Sequence, residues 1–100
     1  MIRQYIRENG TNRKIGVLVA WVIDGNVSIG FSALNKKDDR IFSSDFGNEI
    51  AESRAICYAQ EKRYPKCLPL SVQKALPLFI DRCQSYFKEV ELVDWVHEWV

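Results

Sequence analysis

Hydrophobic and polar positions change rhythm twice along this chain. From Ile15 to Ile23 only Gly16 interrupts an apolar run rich in β-branched residues, and the run ends at Asp24-Gly25, a preferred pair for a two-residue type I′ turn. With that pair as the loop, Ile23 faces Asn26, Val22 faces Val27, and the pairing continues to Leu18 opposite Phe31. Alternate pairs share a side of the sheet. One side gathers Leu18, Ala20, Val22, Val27, Ile29 and Phe31. The other sets Val17, Val19, Trp21 and Ile23 against Asn26, Ser28, Gly30 and Ser32. A slip of one residue would destroy this segregation, so the pattern fixes the register. Ile2 to Arg7 and the turn signal Asn9-Gly10 predict a preceding strand. Ile15 to Ile23 then becomes the central strand of a three-stranded antiparallel meander, and burial on both sides explains its continuous apolarity.

Beyond the polar stretch that starts at Asn35, the period lengthens. Ser44 or Asp45 can cap a first helix, which should run to about Tyr64, because Pro65 disfavours helical geometry in the residue before it. On a helical projection Phe46, Ile50, Cys57 and Tyr64 lie together, with Ala51, Ala55 and Tyr58 on the adjoining flank and Arg54 and Glu61 between the two groups. A second helix is marked by Val72, Leu76, Phe79, Ile80, Cys83, Phe87 and Val90. Pro77 inside it predicts a kink, or a short turn from Ser71 followed by the helix proper. The tail from Leu92 to Val100 fits either helix or strand. Trp95 and Trp99 require that it dock on something. The fold class is therefore α+β: one domain over residues 1–100, an N-terminal meander packed by two C-terminal helices and a docked apolar tail.

The sheet side carrying Val19 and Trp21 is half apolar and shallow, because the opposing strand offers only small or polar groups. Two readings are open. The tail or a helix of the same chain covers it, or Val19, Trp21, Trp95 and Trp99 form an interface with another subunit or a partner.

Composition narrows the chemistry. With 14 basic and 13 acidic residues in 100, a net charge of +1 supplies no global field toward nucleic acid or anionic lipid. No apolar run is long enough to span a bilayer, and the Met1-Ile2-Arg3 start has no secretory apolar region. Cys57, Cys67 and Cys83 form no paired framework, which suits a reducing cytoplasm. With His97 they match no zinc-ligand spacing, so no metal or other cofactor is expected. No phosphate loop, dinucleotide fingerprint or nucleophile–base set is present, and no catalytic residue is assigned. Binding is better supported. Lys36, Lys37 and Arg40 lie between the hairpin and a helix N-terminus, where cations and free amides suit an anion, unless they only solvate a loop. Arg54 either pairs with Glu61, Asp38 or Asp39, or presents a charge to a ligand pocket.

The stretch Ile29-Gly30-Phe31-Ser32, then Asn35 to Asp39, Phe42, Gly47, Ile50-Ala51 and Arg54-Ala55, followed by Phe79, Arg82-Cys83 and Tyr86-Phe87-Lys88, resembles small accessory proteins of bacteriophages and prophages with an "IGxS…KD.F…G..IA..RA" pattern. It departs from that pattern at Ala33-Leu34, where a Cys is expected. In the resemblance Phe42 and Phe46 anchor the loop, Gly47 permits close helix–sheet approach, and Arg54 reaches the loop acids. It implies a non-enzymatic, homo-oligomeric protein of the host cytoplasm, an accessory or counter-defence protein of the phage, that binds a host protein or sequesters a small nucleotide. The alternative is a module for double-stranded nucleic acid, with Lys36, Lys37, Arg40, Arg82 and Lys88 on phosphates.

Overall fold

The computed structural model describes residues 1–34, 41–61 and 63–99. Strands β1 (Ile2–Arg7), β2 (Lys14–Ile23) and β3 (Asn26–Ala33) form one antiparallel sheet in the order β1-β2-β3. The hairpin register runs from Ile23 opposite Asn26 to Gly16 opposite Ala33, with Leu18 opposite Phe31, as the segregation of side chains requires. Asp24 and Gly25 take φ of 51° and 88°, the paired left-handed geometry of a type I′ turn. Val22, beside that turn, stays 42% exposed although it shares a side with the core residues.

Helix α1 (Ser44–Gln60) and helix α2 (Leu70–Tyr86) lie on opposite faces of the sheet. Under α1, Val17, Val19 and Ile23 meet Phe42, Ala51 and Ala55, with Tyr5, Trp21 and Leu34 at the margin. Under α2, Leu18, Ala20, Ile29 and Phe31 meet Val72, Leu76, Phe79 and Cys83. The two faces are thus covered by this chain's own helices, and Val19 is fully buried.

Helix α1 corrects the sequence reading in three ways. Its buried residues are Gly47, Ala51, Ala55 and Tyr58, the flank rather than the large apolar group. Phe46 and Tyr64 are 64% and 41% exposed. The cause lies on β3, where Ser28, Gly30 and Ser32 present almost no side-chain bulk, so the helix comes down on its small residues. Ser28 Oγ donates to the Ala55 carbonyl at 2.6 Å, a contact only near-touching backbones permit. Second, Phe42 is buried while Phe46 is not, and a Cβ on Gly47 would meet the Phe42 ring. Gly47 therefore makes room for Phe42, and the close approach to the sheet is made at Gly30. Third, α1 ends at Gln60, before Pro65 demands it, and residues 63–69 carry the chain toward the opposite face of the sheet. Ser43 caps the start, its Oγ accepting from Phe46 N–H at 3.3 Å.

Helix α2 is one helix with Pro77 inside it, starting at Leu70 rather than at Ser71 or Pro77. The tail is both of its alternatives in turn. Leu92 bridges Val27 in parallel along the outer edge of β3, and Asp94–Trp99 then forms a 3₁₀ turn. Neither helix is long and apolar enough to cross a membrane.

Candidate functional site

Arg54 sits on the flank of α1 that overlooks the outer edge of β3. Its Nη1 donates to the Phe31 carbonyl at 2.9 Å, and its guanidinium carbon stands 5.1 Å from the centre of the Phe31 ring. Strand geometry explains the partner. Odd-numbered residues of β3 turn their backbone groups away from β2, so the Phe31 carbonyl is an edge acceptor that an arginine can fill. The predicted Glu61 is not its partner. Glu61 lies 3.4 Å from Arg63 Nε and accepts from Cys57 Sγ. Asp38 and Asp39, the other candidates, fall outside the described residues, as do Lys36, Lys37 and Arg40. Arg54 is exposed rather than embedded in an apolar arc, because the buried arc of α1 lies one position further round.

Around Arg54 opens a cleft of about 360 Å³, lined by Phe31, Ala33 and Tyr58 and by Pro65, Lys66, Cys67 and Pro69 of the connection between the helices. Sequence reasoning did not place Lys66, Cys67 and the two prolines at a site, because it left residues 65–69 as a connection between a helix ending near Tyr64 and the next one. The Pro65-Lys66-Cys67-Leu68-Pro69 spacing was the available signal: two prolines hold an extended wall, and Leu68, 5% exposed, pins it into the core. Burial pushes the Tyr58 hydroxyl up from its ordinary value, with Arg54 pulling the other way. Tyr58 is held from behind by Trp95, edge-on at 5.5 Å between ring centres, and meets Phe31 at 6.3 Å.

A second cleft of about 310 Å³ shares Ala33 with the first and is lined largely by apolar groups, among them Leu34, Ile41, Phe42, Phe46 and Ile50. The predicted interface set disperses. Val19 and Trp95 are buried inside the fold, at 0% and 2% exposure, and are not available to a partner. Trp21 and Trp99 are half-buried against the two opposite cores. The reason is that α1 occupies one sheet side and the tail turns inward on the other. His97 is exposed. Among the described residues no cluster of three or more His, Cys, Asp or Glu is placed to hold a metal ion.

Comparison with protein-family models, with curated proteins and with solved structures found no match.

Proposed function

We propose that this chain is a non-enzymatic binding protein, a phage accessory protein acting in the host cytoplasm, and that the cleft beside Arg54 sequesters a small nucleotide. The observation that carries this reading is the fixed guanidinium. Arg54 is oriented by a backbone carbonyl and an aromatic face at the cleft wall, and Lys66 lines the same cleft. An oriented guanidinium offers its remaining N–H groups as a fork to phosphate oxygens, and Lys66 adds a second cation. Phe31, Tyr58 and the prolines supply apolar surface for a base. The volume falls within the roughly 300–1,000 Å³ usual for ligand sites. A chain of net charge +1 with two cations lining this cleft suits a compact anion better than a long duplex.

Calorimetric titration with mononucleotides and cyclic dinucleotides tests this. Saturable binding is expected, weakened at least about tenfold in Arg54→Ala by loss of a charge-assisted pair. In a Cys57→Ser background the bound nucleotide should also slow alkylation of Cys67. Absence of binding at millimolar nucleotide, or an Arg54→Ala variant that binds as well as the parent, overturns the reading. A host protein as partner is the second reading, and the observation favouring it is the second cleft, where Ile41 is 89% and Phe46 64% exposed.

A further inference from the structure

We propose that the tail, residues 91–99, exchanges between two copies of the chain, so that the outer edge of β3 receives the tail of a second copy. This is independent of the cleft and its ligand. It starts from a conflict at the end of α2. The helix stops at Tyr86, yet Phe87-Lys88-Glu89-Val90-Glu91 contains no Gly, Pro or Asn to stop it. Lys and Glu are good helix formers, and the apolar stripe of Cys83 continues in step through Phe87 and Val90. The chain leaves helical geometry at Phe87 (φ −103°, ψ 61°) and completes the turn at Glu89, whose φ of 69° is the left-handed conformation that Gly or Asn ordinarily supplies after a helix. Local preference and tertiary demand disagree over these residues, which marks a segment with two accessible arrangements.

The tertiary demand comes from the tail. Val27 N–H donates to the Glu91 carbonyl at 2.8 Å, Val93 N–H donates to the Val27 carbonyl at 2.9 Å, and Trp95 and Val96 bury in the core. All of these contacts join the tail to the body of the molecule. The same set forms when the body belongs to a second copy, while the hinge, freed from turning back, continues α2 by about one turn. Glu89 then leaves its unfavourable conformation, and reciprocal exchange closes the assembly as a two-fold dimer without a new interface having to evolve.

The test uses the full chain, concentrated to millimolar and also refolded at high concentration, with mass measured by light scattering. A dimer is expected. Position 89 is exposed, so its substitutions leave the core alone. Glu89→Gly favours the turn and weakens the helix, and should lower the dimerisation constant at least about tenfold. Glu89→Ala favours the helix and should raise it. In the dimer the Val27 amide should stay protected from hydrogen exchange, because a tail still covers it. A chain monomeric under both treatments overturns the proposal. So does a dimer whose population ignores residue 89, or one in which the Val27 amide is unprotected.

Discussion

At the scale of single residues, what is absent at Gly30 decides how α1 meets the sheet. A Cβ there would drive into the Ala51 carbonyl and sit 2.7 Å from the Ala55 nitrogen, both backbone and neither able to swing aside. Gly30→Ala should therefore destabilise the fold by about 3 kcal/mol, the upper range for overpacking, read as a lower urea midpoint at unchanged slope. Gly47→Ala makes the contrast. The nearest atoms its Cβ meets belong to the buried Phe42 ring, which must shift within the core, and the gain in helix propensity of about 1 kcal/mol offsets part of this, so its net cost should be about 1–2 kcal/mol, below that of Gly30→Ala. Cys83 gives a pH signature. Burial raises its thiol from 9.0 to about 12. Between those values the unfolded chain has released a proton that the native chain keeps. Stability should therefore fall as pH rises through that window, by up to about 1.4 kcal/mol per pH unit, and be unaffected by this group below it. Thermal melts at pH 8 and above 10 check this, with a shallower fall expected for Cys83→Ala. The sequence displayed Gly30 opposite Val19 and Arg54 amid apolar neighbours. That Arg54 would fill an edge carbonyl depended on which backbone groups face outward, which side-chain patterning does not encode.

At the scale of elements, the strands were readable because their turns and alternation impose the same answer. Asp24-Gly25 fixes the loop, and the sorting of Leu18 and Phe31 from Trp21 fixes the register. Helix α1 was harder, because amphipathic reasoning rewards large apolar residues, and Phe46, Ile50 and Cys57 outweigh Gly47, Ala51 and Ala55 on any hydrophobic scale. The decisive signal was joint: small residues at a spacing of four on the helix face small residues at a spacing of two on β3. Neither half is informative alone. Helix α2 carries the opposite lesson. Pro77, exposed and well inside the helix, denies the Gln73 carbonyl its usual donor, yet the apolar stripe from Val72 to Cys83 holds the helix together on the sheet. Packing overrides a penalty of about 3 kcal/mol for an interior proline. Pro77→Ala should accordingly raise stability by about 1–3 kcal/mol, visible as a higher denaturant midpoint, with tertiary packing already in place to accept the restored bond.

At the scale of the whole molecule, the three-stranded sheet has two edges to protect and treats them alike. Arg54 donates to the Phe31 carbonyl on β3, and Arg82 donates to the Arg3 carbonyl at 3.2 Å on β1. Charged groups on edge acceptors discourage further strand pairing. The tail bonds the start of the β3 edge at Val27, and Trp95 beyond it joins core and cleft: it is 2% exposed and supports Tyr58, which in turn lines the cleft beside Arg54. Its indole nitrogen, however, is buried with no hydrogen-bond partner among the described residues. The two halves of this side chain therefore act in opposite senses, and substitutions can separate them. Trp95→Ala removes the ring and opens a cavity under Tyr58, which should cost about 3–5 kcal/mol, a large share of the about 5–15 kcal/mol typical of a domain. Trp95→Phe keeps a six-membered ring against Tyr58 and deletes the unpartnered N–H, which offsets part of the smaller cavity it leaves, so its cost should be about 1–2 kcal/mol, clearly below that of Ala. Urea titrations of the two variants decide between them. If Phe proved as damaging as Ala, the indole nitrogen would have to be engaged after all, and the docking of the tail would rest on a polar contact rather than on burial.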